Sequence, residues 1–180
     1  QEKLKKLNMI IGVFFSEVGT DLISYFSVSD PQAGDIQKKL LLNVQWTPKL
    51  FLSTRECLAA YNYNITITKE DVIKLRQFLL SKRDFLLGLL ANPNLFEHDA
   101  FTDLLWAVFH LTEELLHRER IKECSEKDLE HIQNDIKRAY CILVKEWLVY
   151  MQHLQLDYPY LFSLAVRTNP FDRNAKPEFV

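Results

Sequence analysis

The sequence predicts an all-α fold, a single antiparallel bundle of six or seven helices with an aromatic C-terminal segment packed on it, and three observations carry that expectation. Only four glycines and six prolines occur among 180 residues, so long stretches are free of chain breakers. Apolar side chains recur along those stretches three and four positions apart, the period of an amphipathic helix. Cap-forming residues followed three positions later by an acid stand where new stretches begin. With 48% of its residues apolar, a chain of this length buries one substantial core. Residues 1–172 are therefore expected to form one domain, with 173–180 fraying.

The first helix is marked by Leu4, Leu7, Ile11, Phe14, Phe15, Val18, Leu22, Tyr25 and Phe26, and Asp30-Pro31 closes it because proline disfavours helical geometry in its predecessor. Gly12 and Gly19, seven apart on one side, suit close approach of a neighbouring helix. Two shorter helices are predicted over 33–45 and 48–61, divided where Thr47 can cap and Pro48 suits the first helical position. Asn62 to Ile67 is β-branched but too short to imply a sheet, and reads as a loop. Thr68 with Asp71, Asn94 with Glu97 and Ser125 with Asp128 place helix starts near 69, 95 and 126. Those helices run to Ala91, about Arg120 and about Gln155. The last is apolar nearly all round from Ile142 to Met151 and should be central. The segment from Tyr158 to Phe171 contains a short helical pattern.

Twenty-two basic and 24 acidic residues give a formal charge of -2, which offers no footprint for nucleic acid. Cys57, Cys124 and Cys141 form no metal-binding or disulfide grouping and fit a reducing compartment. Asn64-Ile65-Thr66 matches a glycosylation triplet, which has meaning only in a secretory pathway. No uninterrupted run of 18 apolar residues is present, so this sequence is not expected to span a bilayer. Lys3, Lys5 and Lys6 stand before the first apolar helix, where basic residues would mark the cytoplasmic side of a preceding membrane segment; a solvated first turn explains them equally well.

His110, Glu113, Glu114 and His117 contain the His-x-x-Glu and Glu-x-x-His spacings from which bundle metal sites are built. At about 100° per residue, however, they and Asp103 lie opposite the stripe of Leu104, Leu105, Val108, Leu111, Leu115 and Leu116. Glu146 and His153 are seven apart and cannot supply the second motif. A solvated, pair-forming face is expected, with no metal or other cofactor. Trp106 shares that face and suggests an interface with His110 and His117. Arg83 lies inside the apolar stripe of its helix, with Arg76 nearby, and is expected to pair with Glu17, Asp21 or Glu146, because an unpaired charge is costly away from water. That group is either a buried ion pair or a polar ligand pocket. Tyr158, Tyr160 and Phe162 are core or a second partner-binding surface.

Ser16, Ser24 and Cys141 lack the local framing of nucleophiles, and no phosphate-binding glycine loop exists. Catalysis is not expected. The segments LNMIIGVFFSEVGTDL (7–22), LLSKRDFLLGLLANPNLFEHDAFTDLLWAVFHLTEEL (79–115) and KEWLVYMQHLQLDYPYLFSLAVRTNPFD (145–172) resemble an uncharacterised prokaryotic family. The resemblance implies a short N-terminal membrane anchor ahead of a soluble helical region and no known activity. Together these readings point to a non-catalytic interaction or scaffold domain on the cytoplasmic face of a membrane, with a protein partner or a second copy of itself. The alternative is a bundle that binds a metal or a small ligand, as a sensor or as a carboxylate/histidine metal enzyme.

Overall fold

A computed structural model describes residues 1–179, in which seven helices occur and no strand. In chain order they are α1 (Glu2–Val28), α2 (Ala33–Lys39), α3 (Pro48–Ala60), α4 (Lys69–Leu90), α5 (Asp99–Leu116), α6 (Glu126–Asp157) and α7 (Pro159–Arg167). The all-α class is as the sequence predicts. Val180, the end of the segment expected to fray, lies outside the described residues.

The 32 residues of α6 make a rod about 48 Å long. Its buried stripe runs from Ile132 through Tyr140 and Trp147 to Leu154, so it is the central helix. α5 lies antiparallel along its first half, and α4 packs on α5. α1 crosses its second half, where the Phe15 ring stacks on Tyr150 at 5.2 Å. α7 folds back over the same end, and Phe171 beyond it meets Trp147 edge-on at 5.0 Å.

α1 is long and apolar enough by length and composition to cross a membrane. Here it is packed into the bundle: Phe14, Phe15, Val18, Leu22, Ile23 and Phe26 are all buried. Phe14 and Phe15 are followed by four further buried apolar side chains before Val28. A π-helical turn over Phe15–Gly19 adds the residue that re-phases the apolar face. Gly19 completes this turn, since a Cβ there would lie 2.5 Å from Phe15 Cδ1 and 3.0 Å from Phe14 Cε1. Gly12 is the glycine that admits another helix: a Cβ would meet Tyr150 Oη of α6 at 2.7 Å.

Three caps form where the sequence places them. Thr47, Thr68 and Ser125 accept hydrogen bonds from the backbone N–H groups of Leu50, Asp71 and Asp128. Residues 62–67 form the expected irregular connection, yet they are not a surface loop throughout. Tyr63, Ile65 and Ile67 are buried alternately with exposed neighbours, and Thr66 N–H donates to the Ser29 carbonyl at 2.8 Å.

Other boundaries differ from the sequence reading. α2 stops at Lys39 instead of 45 because the Leu40 carbonyl accepts from the Asn169 side chain at 2.7 Å and Asn43 turns its own backbone by accepting from Gln45 N–H. α5 begins at Asp99 instead of 95. Asn92 caps a single turn over Pro93–Leu95, and His98 Nδ1 accepts from Phe101 N–H at 3.1 Å to start the helix. α5 also ends at Leu116, short of Arg120, where Arg76 of α4 donates to the carbonyls of Leu115 at 2.9 Å and Leu116 at 3.4 Å. A guanidinium from a neighbouring helix thus satisfies groups that a helix end leaves unpaired. Arg76→Ala is expected to destabilise the fold by about 1–3 kcal/mol, measured as a shift in urea unfolding; an unchanged midpoint would show that water replaces the cap.

Candidate functional site

The polar side of α5 is divided between two neighbours. Consecutive residues diverge by about 100°, so Glu113 and Glu114 leave the helix toward different partners. Glu113 faces α4, where Arg83 Nε donates to its Oε1 at 2.7 Å and the guanidinium lies 5.8 Å over the Phe109 ring. Glu114 and His110 face α6. The expected solvated face is therefore two helix seams, with Asp103, Trp106 and His117 on the exposed crest between them. His117 Nδ1 lies 2.8 Å from the Glu113 carbonyl and joins no cluster of ligating side chains.

On the α6 seam, His110 and Glu114 meet His131 and Asp135, each helix contributing a histidine and a carboxylate four residues apart. The antiparallel arrangement sets each histidine between two carboxylates. His110 Nε2 lies 3.6 Å from Glu114 Oε1 and 3.3 Å from Asp135 Oδ2; His131 Nε2 lies 3.5 and 3.4 Å from the same two oxygens. Potential ligand atoms of His110, Glu114 and Asp135 all fall within 4.8 Å of one another.

Both carboxylates use their other oxygen on an arginine. Asp135 Oδ1 accepts from Arg138 at 3.1 Å, and Glu114 Oε2 accepts from Arg118. Arg118 also binds Asp128 through both carboxylate oxygens at 2.9–3.1 Å and the Glu114 carbonyl at 2.7 Å. Its guanidinium holds Glu114 below the ordinary carboxylate range and Asp128 down to about 2. Asp135 is a different case: its side chain is only 2% exposed, and no hydrogen bond reaches its buried Oδ2.

Arg83 does not pair with Glu17, Asp21 or Glu146 as the sequence suggested. Its position in the stripe is at the α4–α5 edge, within reach of Glu113 and partly open to water. Glu17 instead pairs with Lys82 at 3.2 Å, and Asp21 is exposed. Glu146 is 7% exposed and makes no ion pair among the described residues; burial raises its pKa, opposed by the weaker influence of His98 and Lys145. Among the candidate nucleophiles, Ser24 donates to the Thr20 carbonyl, and partial desolvation raises the pKa of the Cys141 thiol, the opposite of activation.

The re-phased part of α1 bounds a cavity of about 590 Å³ against the C-terminal half of α6 and the inner side of α7. Gly12, Phe15 and Ser16 line it from α1, Tyr150, Met151 and His153 from α6, and Tyr158, Leu161 and Leu164 from the end of α6 and from α7, with Phe15 and Tyr150 in stacked contact at its edge. His153 Nδ1 contacts Asp157 Oδ2 at 2.8 Å, while its Nε2 is buried without a partner. The aromatic tail has mixed fates: Phe162 is core, Tyr158 walls the cavity, and Tyr160 is exposed. Trp106 is 56% exposed and touches Phe109 edge-on at 6.1 Å.

These features define a helical domain with one unpartnered buried polar atom at each of two sites, Asp135 Oδ2 and His153 Nε2, and no assigned chemistry. The profile of the family described as "Uncharacterized protein MJ1433, C-terminal helical domain" matches residues 3–167, and the chain belongs to that family. It is similar to the uncharacterized protein MJ1433 of Methanocaldococcus jannaschii, 44% identical over 172 residues that cover 96% of this chain and 69% of that protein. No solved structure matches it significantly. Family and relative are both uncharacterised, so the function is unknown.

The raised pKa of Glu146 has a definite sign. Below the ordinary glutamate pKa of about 4.3 the carboxyl is protonated whether the chain is folded or not. As pH rises, the unfolded chain ionises first, so this group's contribution to stability is lost. Glu146→Gln should therefore raise the melting temperature relative to the parent near pH 7, with a gain that shrinks toward pH 4. A gain independent of pH in paired melting curves would contradict this assignment.

Proposed function

We propose that this domain binds a small, mainly apolar molecule carrying one hydrogen-bond-donating group, in the cavity between α1, α6 and α7. The carrying observation is a largely apolar cavity with the His153 ring at its wall, whose Nε2 is enclosed just behind that wall without a partner among the described residues. Its volume lies within the roughly 300–1,000 Å³ of ordinary small-ligand sites. With Nδ1–H directed at Asp157, the neutral ring leaves Nε2 as an acceptor. A ligand hydroxyl or amine would satisfy it while the rest of the molecule lies against Met151, Leu154 and Leu161. π-Helical turns of the kind that opens α1 here often accompany functional sites.

A protein partner, or a second copy of the chain, is a second reading favoured by the exposed Trp106, with Tyr160 at the edge of α7 as another contact. Lys3, Lys5 and Lys6 on the exposed start of α1 support a location on the cytoplasmic face of a membrane. The small-molecule and protein readings are compatible, since α7 both walls the cavity and presents Tyr160 outward.

Titration with 1-aminoanthracene, an apolar fluorophore with a single amino group, tests the cavity. Saturable one-site binding is expected. Leu164→Trp, at a half-exposed position on the wall, should abolish it without unfolding the domain, and His153→Leu should weaken it several-fold. Binding that is unsaturable, or unchanged in Leu164→Trp, would refute the proposed location.

A further inference from the structure

We propose that His110, Glu114, His131 and Asp135 bind one divalent transition-metal ion of the zinc class, which pins α5 to α6. The four residues alternate nitrogen and oxygen around a ring whose edges measure 3.3–3.6 Å. Zinc bonds to imidazole and carboxylate of roughly 2.0–2.2 Å place neighbouring ligand atoms of a tetrahedron about 3.3–3.5 Å apart. The four His–carboxylate edges match that spacing; His110, Glu114 and Asp135 form the tight group, within 4.8 Å of one another, and His131 completes the shell from α6 when its exposed ring turns inward.

Asp135 supplies an independent argument. It sits in the buried stripe of α6 beside Ile132 and Ile136, where an aspartate needs a firm reason, and its Oδ2 is enclosed yet reached by no hydrogen bond. Two ring nitrogens lie 3.3 and 3.4 Å away without satisfying it. A cation between these atoms would satisfy that oxygen and both rings together. The arginines fit the same role. Arg118 and Arg138 hold the outer oxygen of each carboxylate and leave the inner one directed at the cluster, the arrangement by which outer groups orient metal ligands. With four protein ligands the ion would be saturated, which makes the site structural.

The full chain, stripped with a chelator and desalted, is titrated with Zn²⁺ by calorimetry and with Co²⁺ by visible absorption. One-to-one binding is expected, with the intense d–d bands of four-coordinate cobalt and a rise in melting temperature. The double variant His110→Ala/His131→Ala, which removes two half-exposed rings, should lower zinc affinity by more than about tenfold and abolish the thermal shift. His117→Ala should leave both unchanged. If the double variant unfolds without metal, His131→Gln provides the same readout at one exposed position. Absence of one-to-one binding, binding that survives loss of these histidines, or equal loss in His117→Ala would overturn the assignment.

Discussion

The structure depends on burial of one face of α6. No helix of 32 residues is stable in water through propensity alone when Trp147, Tyr140 and a row of aliphatic side chains lie on one stripe. The buried stripe from Ile132 to Leu154 must be covered along about 33 Å, and several helices share that cover. α5 therefore covers the first half, α1 and α7 the second, with α3 tied alongside by the hydrogen bond from Arg55 to Gln152 at 3.1 Å. α4 is held one layer out, against α5. Both candidate sites are by-products of this arrangement, since each forms where a covering helix meets α6 at its edge.

Much of this was legible in the sequence. The apolar periods marked the long helices, and Thr47, Thr68 and Ser125 fixed three starts because their caps are local interactions between residues three apart. The boundaries that moved were set by distant residues. Asn169 reaches Leu40, and Arg76 reaches Leu115, contacts separated by 129 and 39 positions that no local pattern reveals. The π-helical turn over Phe15–Gly19 had no signal in the apolar period, since adjacent buried pairs such as Leu104 and Leu105 sit on a regular helix.

The candidate sites show the same division. Helical phase correctly turned His110, Glu113, Glu114 and His117 away from the apolar stripe of α5, but phase on one helix says nothing about which neighbours flank the polar side. Glu113 and His117 fall outside the cluster, and His131 and Asp135 complete it from α6. A signal for them existed. The argument that singled out Arg83, a charge within an apolar stripe, applies with greater force to Asp135, which lies three residues after Ile132 and one before Ile136. Arg83, read as lying inside the stripe, sits at its α4–α5 edge partly open to water, and its partner came from α5 because a flexible guanidinium reaches the nearest seam. The cavity could not be read from sequence, since it arises from the shape left between three helices.

Because both sites share α6, its continuity governs how they relate. Asp135 and Tyr150 are 15 residues apart, or about 22 Å along an unbroken helix. No π turn or proline interrupts α6 between them, and the interior side chains there, Ala139, Leu143, Val144 and Trp147, are fully packed. Between the two sites α6 is one continuous element in a close-packed core, with no hinge in its backbone. The cluster can stiffen the α5–α6 seam while the cavity remains as it is. The cavity can in turn adjust by moving α7, a nine-residue helix joined to α6 at Tyr158-Pro159, without disturbing the histidines. Mobility in this domain should therefore concentrate at the cavity's outer wall and rigidity at the histidine seam.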